Sequence, residues 1–192
     1  MRYLIVDLEA TCWQDSKDNT RMEIIEIGAV MLPASPDQPV LEYQRFVRPI
    51  MNPVLSDFCT ELTSITQEQV DTAEDFSVVF PEFLAWIGGA PFTFCSWGDY
   101  DYHQIRRDCA RWNLEAPQVF NARINVKKVF RKRHHKHVGM AEALTVLGLP
   151  LEGMHHRGID DARNIAQILL TLMQDEKVKL LLAPDSAPKR AR

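Results

Sequence analysis

The stretch RYLIVDLE, from Arg2 to Glu9, predicts the central strand of the fold. It is almost continuously apolar up to Asp7, which is typical of a strand that is buried on both faces of a sheet. Asp7 and Glu9 lie two residues apart, so their side chains project from the same face of that strand. We therefore expect one small volume at the carboxyl end of the strand to hold two carboxylates.

The segments that follow predict an α/β domain with a mixed sheet. IIEIGAVML (24–32) and LEYQRFVR (41–48) have β character, and the turn-rich PASPDQP between them predicts an antiparallel meander with the first strand. Strand-like and helical patterns then alternate, which places helices on the faces of the sheet. The later predicted elements are a short helix capped by Ser56 or Asp57, a helix over 73–87, a strand over 91–97, a helix over 100–112, a short strand around Val119 and Phe120, a basic helix over 125–133, and helices over 140–147 and 160–173.

Length and composition predict one globular domain. The chain has 192 residues, of which 46% are hydrophobic and 25% are charged, so disorder and fibrous structure are excluded as its main state. We predict a domain over residues 1–182 and a disordered Pro- and charge-rich tail over 183–192. The apolar runs are far shorter than the roughly 20 residues that cross a bilayer, and no secretory signal is visible, so we predict a cytoplasmic protein without a membrane span. Four widely spaced cysteines without a CxxC pair predict reduced thiols and no zinc site.

Charge is distributed unevenly along the chain. Residues 1–105 carry a net charge of −12 and residues 106–137 a net charge of +8, within a total of −4. A chain that coats nucleic acid is basic throughout, whereas an acidic body beside a basic segment suits a metal site that is fed by a phosphate-binding patch. The basic segment KKVFRKRHHKH (127–137) offers candidates for that patch, although a solvated helix face is the alternative. These candidates are Lys127, Lys128, Arg131 and Lys132.

Three acidic motifs carry the functional prediction. Asp7 and Glu9 repel each other unless a proton or a cation neutralises them, and hard cations such as Mg²⁺ prefer oxygen ligands. WGDYDYHQI (97–105) adds Asp101 where a strand passes into a helix. HHRGIDDARNIAQIL (155–169) places His156 on a loop and Asp161 in the first turn of a helix, with four residues between them. Each motif alone has a plain alternative, which is a pair of solvated acids or a helix N-cap.

Together these motifs resemble those of the DEDDh 3′-to-5′ exonucleases in the DnaQ-like superfamily, in the branch of histone-mRNA exonuclease and KapD-like exoribonucleases. The resemblance covers almost the whole chain, and Ser64 departs from it because the family usually has Gly there. It rests on YLIVDLEATCW (3–13), EIIEIGAV (23–30), LSDFCTELTSITQEQVD (55–71), SWGDYD (96–101), VGMAEALTVLGLP (138–150) and HHRGIDDARNIAQIL (155–169).

The resemblance implies a ribonuclease H-like three-layer α/β/α domain with a mixed sheet of about five strands. It implies that Asp7, Glu9, Asp101 and Asp161 hold two Mg²⁺ ions, or Mn²⁺ in their place, and that His156 is the general base for the attacking water. The implied reaction releases nucleoside 5′-monophosphates one at a time from the 3′ end of single-stranded nucleic acid.

The resemblance also implies contacts to the terminal nucleotide. These would be made by Ala10, Thr11, Phe58, Leu62 and Tyr100. RNA is favoured as substrate by the branch that the chain resembles, and a DNA-trimming or proofreading exonuclease is the alternative. A non-catalytic nucleic-acid-binding protein on the same fold is disfavoured because all five site residues are present. A protein partner that supplies targeting stays open, and the sequence makes no prediction of oligomeric state.

Overall fold

The predicted central strand, β1 (Arg2–Ala10), lies in the middle of a five-stranded mixed sheet in a computed structural model of the chain. The structure describes residues 1–15, 18–35 and 37–179, without the side chains of residues 177 and 179. β1 pairs antiparallel with β2 (Ile24–Leu32), which pairs antiparallel with β3 (Leu41–Phe46). On its other side β1 pairs parallel with β4 (Phe92–Ser96), and β4 pairs parallel with β5 (Arg123–Asn125). The strand order β3-β2-β1-β4-β5 confirms the predicted mixed sheet of about five strands.

Helices occupy most of the remaining described chain. The predicted cap at Ser56 is present, since its hydroxyl accepts the Cys59 N–H at 3.0 Å. The predicted tail over 183–192 and the boundary at residue 182 lie outside the described residues. Among the residues that are described, every helix is too short or too polar to cross a bilayer. The helices are α1 (Asp57–Thr63), α2 (Gln67–Asp71), α3 (Phe76–Ile87), α4 (Tyr100–Arg111), α5 (Val126–His134), α6 (Met140–Leu147), α7 (Gly158–Met173) and α8 (Glu176–Lys179).

Two hydrophobic cores, one on each face of the sheet, make the three layers. Side chains alternate between the faces of a strand, so Ile5 of β1 packs with α5, α6 and α7, whereas Leu4 and Val6 pack with α3 and α4. All of these side chains are fully buried. Because Asp7 and Glu9 have the same parity as Ile5, the two carboxylates project toward the layer that contains α7.

The predicted strand around Val119 and Phe120 is wrong. These residues form a 3₁₀ helix (Gln118–Asn121), and β5 begins two residues later at Arg123. The Phe120 ring is buried against Phe94 of β4, with ring centroids 5.1 Å apart. Val119 and Phe120 therefore belong to a helical turn that packs against the sheet. Hydrophobic periodicity alone does not distinguish such a short apolar turn from a strand. The prediction for α3 also begins three residues early, because the Asp75 carboxylate caps the helix at the Ser77 N–H.

Ser64 occupies a left-handed backbone conformation at the end of α1. Its φ is 58°, and its N–H donates to the carbonyl of Thr60 at 2.8 Å. A residue in this conformation after a helix is most often Gly, because a Cβ is disfavoured there. The family's usual Gly at this position thus has a conformational reason, and Ser64 adopts the left-handed conformation in its place.

Two glycines bring the start of α7 into backbone contact with β1 and β2. A Cβ on Gly28 of β2 would lie 2.0 Å from the carbonyl carbon of Gly158, and a Cβ on Gly158 would lie 2.9 Å from the carbonyl oxygen of Asp7. Protein atoms do not approach so closely, so neither position has room for a side chain. This contact fixes the distance between the first turn of α7 and the backbones of β1 and β2.

We expect Gly28→Ala to destabilise the fold by about 3 kcal/mol or more, because the added methyl group meets rigid backbone atoms. Gly89 is the matched control, since a Cβ there meets nothing within 4 Å. Gly89→Ala should change the free energy of unfolding by less than about 0.5 kcal/mol. Denaturant titrations of both variants measure the difference, and equal stabilities would contradict the close approach of β2 and α7.

Candidate active site

The ends of β1 and α7 place three of the predicted carboxylates together. Oxygen atoms of Asp7, Glu9 and Asp161 all lie within 4.8 Å of one another. Asp7 is partly exposed, whereas Glu9 and Asp161 are 8% and 4% exposed. Asp161 belongs to the first turn of α7, which the glycine contact holds against β1. The predicted convergence of the first and third motifs therefore follows from strand parity and from helix docking.

Asp101 reaches the same strand from the first turn of α4. Its carboxylate accepts the N–H of Leu8 at 3.1 Å, and the side chain is 5% exposed. Leu8 lies between Asp7 and Glu9, beyond the last residue of β1 that pairs with β4. The neighbouring Asp99 is exposed and instead accepts from the Arg123 and Asn125 side chains. Only Asp101 of the two acids in this motif thus faces the carboxylate cluster.

His156 lies beside Asp161 on the loop before α7. The backbone N–H of His156 donates to the Asp161 carboxylate at 3.1 Å. Its ring stacks on the His155 ring at a centroid distance of 3.9 Å, and His155 Nδ1 is the imidazole nitrogen that hydrogen-bonds Asp161, at 2.8 Å. Atoms of His155, His156 and Asp161 that can bind a metal lie within 4.8 Å of one another. The motif spacing predicted a role for His156 and none for His155.

Burial, and after it the charges of neighbouring acids, disfavours the ionised form of these carboxylates. Burial, together with the charges of Asp101 and Glu9, raises the pKa of Asp7 well above its usual value. Burial and the charge of Asp161 raise the pKa of Glu9 to about 9, and burial raises the pKa of Asp101 to about 7. Burial also raises the pKa of Asp161, against the opposing effect of His155. At neutral pH this group of acids requires protons or a cation.

A fifth buried carboxylate at this edge, that of Glu26, has its charge balanced within the protein. Glu26 is fully buried and lies opposite Glu9 in the β1–β2 pair. It accepts from Arg157 Nε at 3.2 Å, from the Gly158 N–H at 3.0 Å and from Gln44 Nε2 at 2.6 Å. Neither Glu26 nor Arg157 was predicted as part of the site. The sequence offered one indication of a role for Glu26, which is that a charged residue lies inside the otherwise apolar segment IIEIGAVML (24–32).

The donor set fits hard divalent cations. Within the described part of the chain, neither Asp7, Glu9 nor Asp101 forms an ion pair with a lysine or an arginine. Buried carboxylates are normally paired or bind a metal, and clustered oxygen ligands suit Mg²⁺, Mn²⁺ or Ca²⁺. Glu26 differs from these acids, because its carboxylate is bonded to an arginine, a glutamine amide and a backbone N–H. Asp7, Glu9 and Asp101 lack such a cationic partner among the residues that the structure describes.

The predicted nucleotide contacts lie on three segments around this cluster. Ala10 and Thr11 are buried, and the Thr11 hydroxyl accepts the Glu23 N–H at 3.0 Å. Phe58 is partly exposed on α1, where Leu62 is 36% exposed. Tyr100, the first residue of α4, is 37% exposed, and the Arg107 guanidinium lies 5.7 Å from its ring centroid. Nucleotide contact by these residues stays a prediction.

The basic segment begins at the same edge of the sheet. β5 is parallel to β4, which is parallel to β1, so the carboxyl ends of all three strands meet at one edge. α5 follows β5 directly, and its first turn contains Lys127 and Lys128, with Arg131 and Lys132 one turn farther on. Lys127 is partly exposed and the other three side chains are exposed. The topology therefore gives a path from the carboxylates onto the basic face of α5.

Comparisons with known proteins agree with this geometry. Residues 4–169 match the family model described as Exonuclease (RNase_T). The chain is 34% identical to ERI1 exoribonuclease 2 of Xenopus laevis over 90% of its own length and 28% of that protein's length, so it spans less than a third of this relative. Among solved structures, the nuclease domain of 3′hExo, described as a DEDDh family member bound to rAMP, is 31% identical with a TM-score of 0.82, covering 91% of this chain and 92% of that one.

A structure described as 3′-end-specific recognition of histone mRNA stem-loop by 3′-exonuclease is 30% identical, with a TM-score of 0.81 over 91% of this chain and 64% of that one. The predicted ribonuclease H-like fold and the predicted family are therefore confirmed. The chain belongs to the exonuclease family, in the DEDDh group that includes the nuclease domain of 3′hExo.

Proposed function

We propose that this chain is a metal-dependent 3′-to-5′ exoribonuclease that releases nucleoside 5′-monophosphates from a single-stranded 3′ end. One observation carries the proposal: Asp7, Glu9 and Asp161 converge within 4.8 Å, the Asp101 carboxylate is hydrogen-bonded to the end of the same strand, and His156 lies beside Asp161. The structures of 3′hExo bound to rAMP and of 3′-exonuclease on histone mRNA support RNA as the substrate.

We propose two Mg²⁺ ions as the cofactor, with Mn²⁺ able to replace them, held by Asp7, Glu9, Asp101 and Asp161. Bound there, such ions supply positive charge for the anionic phosphate and for the leaving 3′ oxygen, and they acidify a water molecule. The cluster suits this cofactor because its buried carboxylates have no arginine or lysine partner among the described residues. Divalent metals are general in the DEDDh family, and the choice of Mg²⁺ is our proposal.

The protein's own groups position the reactants around this centre. The Leu8 N–H fixes the Asp101 carboxylate, and the His156 N–H fixes that of Asp161, so both acids have defined orientations before substrate arrives. His156 accepts the proton of the attacking water at an imidazole nitrogen. Burial and the neighbouring His155 lower the pKa of His156, which keeps the ring in the neutral form that a general base needs.

The nucleic-acid strand lies along α5, and its 3′-terminal nucleotide contacts Tyr100 and α1. Aromatic and apolar groups such as Tyr100 and Phe58 bind unstacked bases without reading their sequence. The cationic side chains of α5 contact the phosphates that precede the scissile bond. A protein partner that supplies targeting is compatible with this arrangement, and the cytoplasmic location stays a prediction from the sequence.

The test of the proposal is digestion of 5′-labelled single-stranded RNA and DNA of matched sequence, with Mg²⁺, Mn²⁺ or a chelator. We expect a one-nucleotide ladder on RNA that chelation abolishes. Asp7→Asn and Asp101→Asn should each lower the rate at least about 100-fold, because each removes a group that stabilises charge in the transition state. Equal rates for these variants and the parent would contradict the assigned site.

Asp99→Asn is the control for Asp101→Asn, because both acids lie at the start of α4 but Asp99 is exposed and faces Arg123. It should retain most of the parent activity. Faster digestion of DNA than of RNA would instead identify a DNA exonuclease.

The metal-free protein should become less stable as the pH rises. The folded-state pKa of Glu9 is raised from 4.5 to about 9 and that of Asp101 from 3.8 to about 7. The folded state thus retains protons that the unfolded chain has already released. The protons on Glu9 and Asp101 therefore stabilise the folded state. This stabilisation is complete below the unfolded-state pKa of about 4 and is lost as the pH rises through the folded-state values toward 9.

Thermal unfolding in chelator between about pH 6 and pH 9 measures this loss as a falling Tm. Added Mg²⁺ should raise Tm more at the higher pH, where it competes with fewer protons. In the Asp7→Asn, Glu9→Gln double variant both effects should shrink. A Tm that rises with pH in the metal-free parent would contradict the raised carboxyl pKa values.

Substrate binding should depend on salt through α5. Replacing Lys127, Lys128, Arg131 and Lys132 with Gln should reduce the slope of log Kd against log salt by about 0.7 for each phosphate that these side chains neutralise. The control replaces Arg45 and Arg48 with Gln, because these residues lie in or just after β3, and strands β2, β1 and β4 separate β3 from β5 and the α5 that follows it. Anisotropy titrations in Ca²⁺ would show an unchanged slope for the control. An unchanged slope for the α5 variant would exclude this path.

A further inference from the structure

Two groups of metal-binding side chains adjoin each other at the start of α7. One consists of Asp7, Glu9 and Asp161, and the other of His155, His156 and Asp161, and in each group the candidate ligand atoms lie within 4.8 Å of one another. They are the two such groups found among the described residues, and they share Asp161. The proposed exonuclease reaction uses His156 as the general base and Asp161 as a metal ligand, and it assigns neither of these roles to His155.

The two groups differ in the cations that they favour. Three carboxylates are hard oxygen ligands, which suit Mg²⁺, Ca²⁺ and Mn²⁺. Two imidazoles and one carboxylate form a borderline donor set that Zn²⁺ and similar transition ions prefer over Mg²⁺ by a wide margin. The two modes of binding share ligands, because Asp161 belongs to both groups in the same conformation, and a cation on the imidazoles occupies Asp161 and His156, which the proposed reaction needs.

The backbone at His156 brings the two rings to one side. Side chains of consecutive residues in extended chain point in opposite directions. His156 has a φ of 65°, in the left-handed region that non-glycine residues rarely adopt, and its ring stacks on that of His155 at 3.9 Å with an angle of 18° between the planes. His155 Nδ1 already contacts the Asp161 carboxylate at 2.8 Å, where a cation can replace the shared proton.

The loop that carries the two histidines is held in place from α7. The Asp160 carboxylate accepts the Met154 N–H at 2.9 Å, and the buried Asn164 side chain bonds both the N–H and the carbonyl of Glu152, each at 2.9 Å. Gly153, with a φ of 67°, has no room for a Cβ beside the Asp160 carboxylate. The His155 side chain is 38% exposed, so an ion in solution has access to the group.

We propose that His155, His156 and Asp161 form a second metal site, which binds Zn²⁺ or a similar transition ion and thereby occupies His156 and Asp161, the two residues that it shares with the proposed reaction. The expected consequence is inhibition by Zn²⁺ in the presence of Mg²⁺, since both His156 and Asp161 are withdrawn from the reaction. That consequence rests on the proposed function, whereas binding of the ion does not.

Binding is tested by calorimetric titration of Zn²⁺ into the Asp7→Asn, Glu9→Gln double variant, which lacks the carboxylate cluster but keeps the proposed site. Adding His155→Asn should weaken Zn²⁺ binding at least about 10-fold, because one of three ligands is removed. His156→Asn, in which Asn tolerates the left-handed backbone, should have the same effect and serves as the second variant should His155→Asn not fold.

The matched control is His135→Asn in the same background. His135 is exposed, has a φ of 56° and lies among the basic residues at the end of α5. It should leave Zn²⁺ affinity unchanged. Equal affinities with and without His155 would overturn the proposal, as would a loss caused by His135→Asn alone, which would place the ion on α5.

Inhibition is tested separately on chains that retain Asp7 and Glu9. For each chain, the rate of RNA digestion in Mg²⁺ with added Zn²⁺ is divided by its own rate without Zn²⁺. His155→Asn should require at least about 10-fold more Zn²⁺ than the parent for half inhibition. Equal Zn²⁺ sensitivity would overturn the inhibitory role. If no chain digests RNA, the proposed function fails while the calorimetric result still decides whether the second site exists.

Discussion

The contact between Gly28 and Gly158 is the constraint on which the candidate site depends. It places the first turn of α7 directly on the backbone of β1 and β2, at a separation that no side chain permits. Asp161 and the loop with His156 reach the end of β1 because of this contact. The Glu26 carboxylate strengthens it by accepting the Gly158 N–H and by pairing with Arg157. The geometry of the site is therefore set by the sheet and by the first turns of α7 and α4.

The two kinds of buried carboxylate at this edge separate structural from functional charge. Glu26 has an arginine, an amide and a backbone N–H as partners, so its charge is matched inside the protein. Asp7 and Glu9 have no arginine or lysine partner among the described residues, and burial together with the neighbouring acids raises their pKa values. Folding thus assembles a group of acids that is unfavourable without protons or cations, which is the electrostatic condition for tight binding of divalent ions.

The sequence predicted the elements whose chemistry is local or periodic. Strand parity located Asp7 and Glu9 on one face, and the spacing in HHRGIDDARN located His156 on a loop and Asp161 in a helix. The short strand was wrongly predicted at Val119 and Phe120, because a buried aromatic residue such as Phe120 gives the same sequence pattern in a strand and in a 3₁₀ turn. Glu26 and His155 were missed because their roles depend on contacts to Gly158 and to the stacked ring of His156, which the sequence pattern does not display.

The groups of the candidate site are spread over almost the whole length of the chain. β1 precedes α7 by more than 140 residues, with α4 between them. During translation, Asp7 and Glu9 therefore leave the ribosome long before Asp161 of α7 has been synthesised. The proposed catalytic centre is therefore incomplete until α7 has left the exit tunnel and docked on the sheet.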